Sequence, residues 1–473
     1  MELPKFSACS LDLTEGCNLA CDYCFTYSKH KPKSLTREMG ERIMDWWLPQ
    51  MDMNKTVEIA FWGGEPLVKF KLLQHMRNYT FEKAKEIGIK DIIWGGTTNG
   101  VLYTPDVVEW TIANQCLMMV SLDGVQQAHD AHRKFPDGRG SWKIVDKNLR
   151  EAKKLLPTQR VRLTLSPESV PYFHESMLYF MEDLDIGNIA YSPVYEATWT
   201  EEDFELLDEE FSKIVATMLD KKGRYTIKHI NEEANIGDED RPMIFNPCGA
   251  GSHYAGWGVD GFLWPCHRFN KHGKSFAERF NSPMILARPT ADSFEWVNQD
   301  LRKEFYEFKD NPSKDCQGCD IFKKSACNGG CYAVNYDCTG DLHGHTEALC
   351  RIGKMQKKWG LVYRAEAEKQ GIMVRDAGWD NGVIRTSEQQ PKSCVCYNAC
   401  YQEGTKDEII HIDRRADYSC MCNHTNYTGP SQPQFRTVEH LDAEKKAMQR
   451  VMELSQHFLN ELDEQDKKHP EKE

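Results

Sequence analysis

Between Phe6 and about Tyr195 the chain alternates short apolar runs with stretches whose apolar residues recur at helical spacing, and this alternation restricts the fold more than any other feature. Residues 8–14, 57–62, 91–94, 117–122, 160–165 and 188–192 read as strands. Among the intervening helices, 36–48 carries Met39, Ile43 and Trp47 on one face, and 141–155 carries Val145, Leu149 and Ala152. Repeats of this kind build a parallel sheet of the α/β class, with its chemistry at the carboxyl ends of the strands. The loop directly after the first strand is TEGCNLACDYCF, residues 14–25.

In that loop Cys17, Cys21 and Cys24 are separated by three and then two residues. Three thiolates can hold three irons of a cubane iron–sulfur cluster, leaving the fourth iron open to a small molecule. A structural zinc knuckle would want a nearby fourth Cys or His. None follows Cys24 until His30, and Cys9 lies on the strand before the loop. Later strand ends carry Trp62-Gly63-Gly64-Glu65-Pro66, then Thr97-Thr98-Asn99-Gly100, then Ser121-Leu122-Asp123-Gly124 followed by His129-Asp130 and Arg133. Alone, the glycine pair reads as an ordinary turn and Arg133 as a solvated surface arginine.

Taken in order, CX3CX2C, GGEP, TNG and SxDG with HDxxR resemble the radical S-adenosylmethionine (SAM) enzymes. The resemblance implies a partial (β/α)6 TIM-type barrel. It also implies SAM chelated to the open iron and cleaved reductively to a 5'-deoxyadenosyl radical, which abstracts hydrogen from a substrate. By the same resemblance Cys17, Cys21 and Cys24 hold the cluster, the Gly63 and Gly64 backbone meets the SAM amino group, Ser121 and Arg133 take its ribose or carboxylate, and Tyr23 lies near the adenine.

A formal charge of −13 argues against a nucleic-acid backbone as partner. The opening MELPKFSACSLDL lacks the basic and apolar regions of a signal peptide, and no run of eighteen apolar residues occurs, so the eighteen cysteines are expected to be reduced in a soluble cytoplasmic protein with no membrane partner. Asn-X-Thr triplets then carry no glycosylation.

Residues 201–222 form an acidic stretch with Phe204, Leu207, Phe211, Ile214 and Met218 at helical spacing, a core-facing helix, and the polar segment 231–241 reads as the end of the barrel. Beyond it twelve residues separate Cys248 from Gly261 and four more separate Gly261 from Cys266, and Cys316-X2-Cys319-X7-Cys327-X3-Cys331 and Cys350 come later. This series resembles the SPASM domain, a module with two auxiliary 4Fe–4S clusters, although the DIFKKSA spacer is longer than is usual there. The family pattern assigns Cys316, Cys319, Cys327 and Cys350 to an outer cluster and Cys248, Cys266 and Cys331 to an inner one. Cys338 is the nearest candidate for the missing inner ligand; otherwise a substrate thiolate takes the place. Paired cysteines of this kind also suit zinc.

Anaerobic sulfatase-maturing enzymes have an Asp after the GX4C cysteine, a proposed base; this chain has His267, which either accepts a proton near neutral pH or braces a cluster. The CNGGC run ending at Cys331 and Thr339-Gly340-Asp341 look more like SPASM maturases of ribosomal peptides, which forge thioether or carbon–carbon cross-links.

The sequence thus divides into a barrel (1–235), a SPASM domain (236–365) and a cysteine-bearing extension (366–473). In the last, Cys394, Cys396, Cys400, Cys420 and Cys422 suggest a further metal centre, a substrate-like segment or uninvolved thiols, and 438–464 suggests an amphipathic helix before a solvated tail. So few residues precede the first strand that leader binding is expected in the C-terminal region or on a separate protein. The expected protein is a radical SAM/SPASM maturase with three 4Fe–4S clusters, SAM, a ribosomally made precursor peptide, and an external donor such as flavodoxin or ferredoxin. Its rivals are anaerobic sulfatase maturation, making formylglycine, and a non-catalytic metal-binding scaffold.

Overall fold

The computed structural model of the chain describes residues 3–26, 32–237, 248–306, 314–322, 324–327 and 329–375. The strands are β1 (Ala8–Thr14), β2 (Val57–Gly63), β3 (Ile92–Thr98), β4 (Cys116–Ser121), β5 (Val161–Leu165), β6 (Asn188–Pro193), β7 (Thr226–Ile227), β8 (Tyr254–Trp257), β9 (Leu263–Trp264), β10 (Ala287–Pro289) and β11 (Phe294–Trp296). The helices are α1 (Arg37–Trp47), α2 (Phe70–Ile87), α3 (Pro105–Ala113), α4 (Gln126–His132), α5 (Trp142–Leu155), α6 (Phe173–Leu178), α7 (Glu201–Asp220), α8 (Lys228–Ile236), α9 (Phe276–Phe280), α10 (Leu301–Tyr306), α11 (Lys314–Gln317), α12 (Tyr332–Thr339) and α13 (Glu347–Lys369).

One sheet runs in the order β11-β10-β9-β8-β1-β2-β3-β4-β5-β6-β7. Its strands β1 to β7 pair in parallel succession, the open wall of a partial barrel. Within residues 1–235 the parallel wall thus has seven strands where the sequence suggested six. The addition, β7, is only two residues long and carries no periodicity to read. β3 continues four residues past its expected end, because Gly95 to Thr98 pair with Leu117 to Val120. A Cβ on Gly96 would lie 2.5 Å from the Phe61 carbonyl oxygen, so the glycine there permits close strand approach.

The helices follow their apolar stripes. Thr36 caps α1 by accepting from the Met39 N–H, and the helix buries Ile43, Met44 and Trp47. α7 opens with a Thr200–Asp203 capping box and buries all five apolar residues that the spacing marked.

β8 pairs in parallel with β1, so the auxiliary region extends the barrel sheet itself. Trp47, Trp257 and Phe294 pack across this seam with ring centroids 5.6 and 5.1 Å apart, edge to face. Such pairs add about 0.5–1.5 kcal/mol each beyond the area they bury. At the other end α13 returns to the barrel against α8 and α7. There Gln356 donates to the Tyr191 hydroxyl at 2.9 Å, Arg351 to Glu201 at 2.7 Å, and the buried Lys357 ammonium faces Glu233 at 3.8 Å. No described helix is long and apolar enough to cross a membrane.

Candidate active site

The cysteine loop leaves the carboxyl end of β1 and is fixed mainly by backbone. The Gly64 N–H donates to the Thr14 carbonyl at 2.7 Å, the Glu65 N–H to the Gly16 carbonyl at 2.9 Å, and the Gly16 N–H to the Thr14 hydroxyl at 3.1 Å. Gly63 has φ +130°, and Cβ atoms on Gly63 and Gly64 would lie 2.1 Å from the Thr14 oxygen and 2.3 Å from the Gly16 oxygen. Both glycines are therefore demanded by the cysteine loop packed against them, a reason independent of any ligand.

Glu65, quoted in the motif but given no role there, proves central. Its buried carboxylate accepts from the Thr98 hydroxyl at 2.9 Å, the Asn99 N–H at 2.7 Å and the Leu67 N–H at 3.1 Å, tying the end of β2 to the end of β3. Burial raises its pKa to about 7. Asn99 in turn donates to Asn18 at 2.7 Å and to the Cys17 sulfur at 3.6 Å, and the Leu19 N–H points at the same sulfur at 3.4 Å. Burial pushes the Cys17 thiol up to about 12 and Cys21 up to about 11, and the Cys24 thiol raises both further. The Cys17 and Cys21 thiols thus hold their protons until a cationic centre displaces them. No three His, Cys, Asp or Glu side chains among the described residues converge on a single metal ion. The trio is set as mutual electrostatic neighbours on one loop with N–H donors aimed at a sulfur, a donor set that suits a cluster binding one thiolate per iron. Cys9, the other cysteine near the loop, is buried on β1.

Arg133 ends α4 inside the barrel. Its Nε donates to Asp123 at 2.8 Å and a terminal nitrogen to the Thr164 hydroxyl at 3.3 Å, and its guanidinium lies 5.5 Å from the centre of the Tyr23 ring. Tyr23 does not offer a free hydroxyl to a ligand, because it donates to the same Asp123 carboxylate. Asp123, another residue without an assigned role in the sequence, also accepts from the Thr164 N–H at 2.9 Å. It joins the cysteine loop, α4 and β5. Ser121, at the end of β4, is buried on the same side.

The later cysteines separate into two groups. Burial raises Cys266, and Cys331 and Cys248 raise it further; Cys248, up to about 12 by burial, also feels Cys331. Cys327 is up to about 12 by burial, with Cys316 and Cys350 as its thiol neighbours, and Lys354 is electrostatically coupled to both Cys319 and Cys350. Cys338 joins neither group. It is exposed on α12, and the charges that act on it are Glu196, Asp337, Arg268 and Lys271. The outer loop is held by Glu233, which accepts from the Ala326 N–H at 2.7 Å.

A second tie joins this region to the first loop: buried Arg279 pairs with Glu15, two residues before Cys17, and with Asp260 at 2.5 Å. Nothing in the spacing of these residues announces it.

His267 lies half-buried beside Cys266. Burial, then Arg268 and Arg162, lower its pKa to about 3. Its ring stacks on Trp62 at 4.0 Å, and Nδ1 lies 2.7 Å from the Tyr254 hydroxyl. It braces the wall between the cysteine loop and Cys266. Cys394, Cys396, Cys400, Cys420, Cys422 and the expected helix 438–464 lie outside the described residues.

Residues 11–177 match the model of the Radical SAM superfamily. The chain is 22% identical over 375 residues to a serine-type anaerobic sulfatase-maturating enzyme of Bacteroides thetaiotaomicron, covering 71% of this chain and 84% of that protein. It is 26% identical over 201 residues to the radical SAM cyclopropyl synthase TigE of Paramaledivibacter caminithermalis, covering 39% and 41%. In fold it is similar to the solved structure of native anSMEcpe with bound AdoMet, with a TM-score of 0.58 and 17% identity over 76% of this chain and 99% of that one.

Proposed function

Because the chain is an enzyme with a radical SAM domain, using SAM and 4Fe–4S clusters, we propose that it matures a ribosomally made peptide by abstracting a hydrogen and closing a cross-link, with thioether formation preferred. One observation carries this reading: Cys248, Cys266 and Cys331 gather as a group of three from which Cys338 stands apart. Such a group leaves one ligand position for a cysteine sulfur of the substrate. Bound at Cys17, Cys21 and Cys24 and at the inner auxiliary site, the cofactors would supply a hydrogen-abstracting radical and an acceptor for the second electron.

The protein's own part is positioning. Cys17, Cys21 and Cys24 present three thiolates on a loop clamped by Gly63 and Gly64, while Asp123 holds Arg133 and Tyr23 in one orientation beside Ser121. Cys316, Cys319, Cys327 and Cys350 hold the outer cluster. The residues divide functionally as 1–235 and 236–365, with 366–473 as an extension. The enzyme works in the reducing cytoplasm with a flavodoxin- or ferredoxin-type donor.

Sulfatase maturation is the second reading, favoured by relatives that span most of the chain. Against it stands the residue difference at His267, where the sulfatase-maturing family has Asp. The test is anaerobic reconstitution with iron, sulfide, SAM and dithionite, followed by mass spectrometry of cysteine-containing peptides. A thioether product keeps its sulfur and loses two hydrogens. Formylglycine made from cysteine loses the sulfur, and that outcome would replace the first reading by the second.

A further inference from the structure

β5 reads VRLTL, and its alternation buries Val161, Leu163 and Leu165 while turning Arg162 and Thr164 to the opposite face. That face is the barrel interior, because Thr164 accepts from Arg133 there and Arg162 lies in register beside Ser121. Arg162 is half-buried, and its side chain makes no hydrogen bond or ion pair among the described residues. The strongest charges acting on it are Arg268, Tyr195, Cys331 and Arg133, none of them a carboxylate.

Its cationic neighbours are otherwise supplied: Arg133 by Asp123 at 2.8 Å and Arg268 by Glu196. Arg162 is the charge left over. A guanidinium stays protonated in any protein environment, and an enclosed charge without a partner is expensive. Its location is also specific. Arg268 lies 4.5 Å over the ring of Phe25, the residue after Cys24, and Cys331 belongs to the inner auxiliary group, so Arg162 looks into the space between the two cysteine sites.

We propose that Arg162 is the receptor for a carboxylate of the substrate, either an Asp or Glu side chain or the free C-terminus of the peptide. This rests on the peptide reading above and adds a requirement to it: an acidic group at a fixed distance from the modified residue. The planar fork of an arginine matches a carboxylate with two parallel hydrogen bonds, which fixes orientation as well as affinity.

The test uses two pools of random N-acetylated peptides, each with one cysteine, one pool C-amidated and one a free acid, presented to reconstituted enzyme loaded with SAM. Retained peptides are sequenced by mass spectrometry. The wild type is expected to enrich Asp or Glu at a fixed offset from cysteine in the amidated pool, or to prefer the free acids, by about tenfold or more. The first pattern assigns a side chain and the second the C-terminus. Arg162→Gln loses the enrichment and Arg162→Lys retains part of it, with iron content and melting temperature reporting the folding of each variant. Peptides retained without acidic preference, or enriched equally by Arg162→Gln, overturn the carboxylate site alone. Failure of the wild type to retain either pool overturns the peptide reading with it. If Arg162→Gln instead shifts the midpoint potential of the auxiliary clusters with selectivity intact, the arginine is a counter-charge for the cluster and the proposal is wrong.

Discussion

Cys17, Cys21 and Cys24 lie within eight residues of one another on a single loop, whereas Cys248, Cys266 and Cys331 are drawn from three separate segments. The first trio shares one loop, which backbone hydrogen bonds from the end of β2, two glycines and the Arg279–Glu15 pair clamp in place. The second depends on β8 reaching β1 and on α13 returning to α8, contacts between residues more than a hundred positions apart. A site carried on one loop keeps its ligand spacing when distant contacts loosen, even where those contacts orient it; a site assembled from separate segments forms only when the fold closes.

The sharpest way to break the comparison is to remove the local site alone. Cys17→Ala, Cys21→Ala and Cys24→Ala together are expected to abolish 5'-deoxyadenosine formation and lower the iron content from about twelve to about eight per chain, as cubane counting requires. Loss of all iron would show that the second region depends on the first. In the opposite direction, Lys357→Met removes the ammonium that faces buried Glu233 and donates to the Gly237 and Lys324 carbonyls, a loss of about 3–5 kcal/mol for breaking a buried arrangement of this kind. Its expected signature is a lower melting temperature with iron lost first from the later cysteines, read from iron content in a variant also lacking the first trio.

A smaller effect follows from Glu65. Burial raises its folded pKa to about 7, above the unfolded value of about 4.3, so its contribution is complete below pH 4.3 and lost as the pH rises to 7. The difference is about 3 kcal/mol, and Glu65→Gln should flatten that part of the stability profile of the metal-free protein, measured by denaturant unfolding at several pH values. The smallest effect is expected from Cys338→Ser, which should leave the iron content unchanged; a loss of iron would return Cys338 to the inner site.

The same contrast explains what could be read in the chain. β1 was legible residue for residue, and so was the cysteine loop, because both are encoded within a dozen neighbours. Thr97 and Thr98 were expected in a loop and lie on β3, since the glycines before them permit strand approach rather than a turn. The pairing of β1 with β8 joins residues 8–11 to 254–257, a separation that no periodicity reports. Tyr23 and the glycine pair were found, but their immediate partners are Asp123 and the loop backbone, which motif spacing does not reveal. Arg162 was visible as a charge in an alternating strand; its lack of a counter-ion emerged only when the neighbouring strands were in place.

The parallel pairing of β8 with β1 bears on how such an enzyme can be dissected. With both neighbours present, the strand that carries the reactive loop lies in the interior of the sheet. Cutting the chain after β7 would strip one side of it and expose a row of unpaired N–H and C=O groups, a template for association with other chains. The barrel is therefore not a portable catalytic cassette: a chimera that exchanges substrate specificity has to carry β8 with the barrel and change the surface elsewhere.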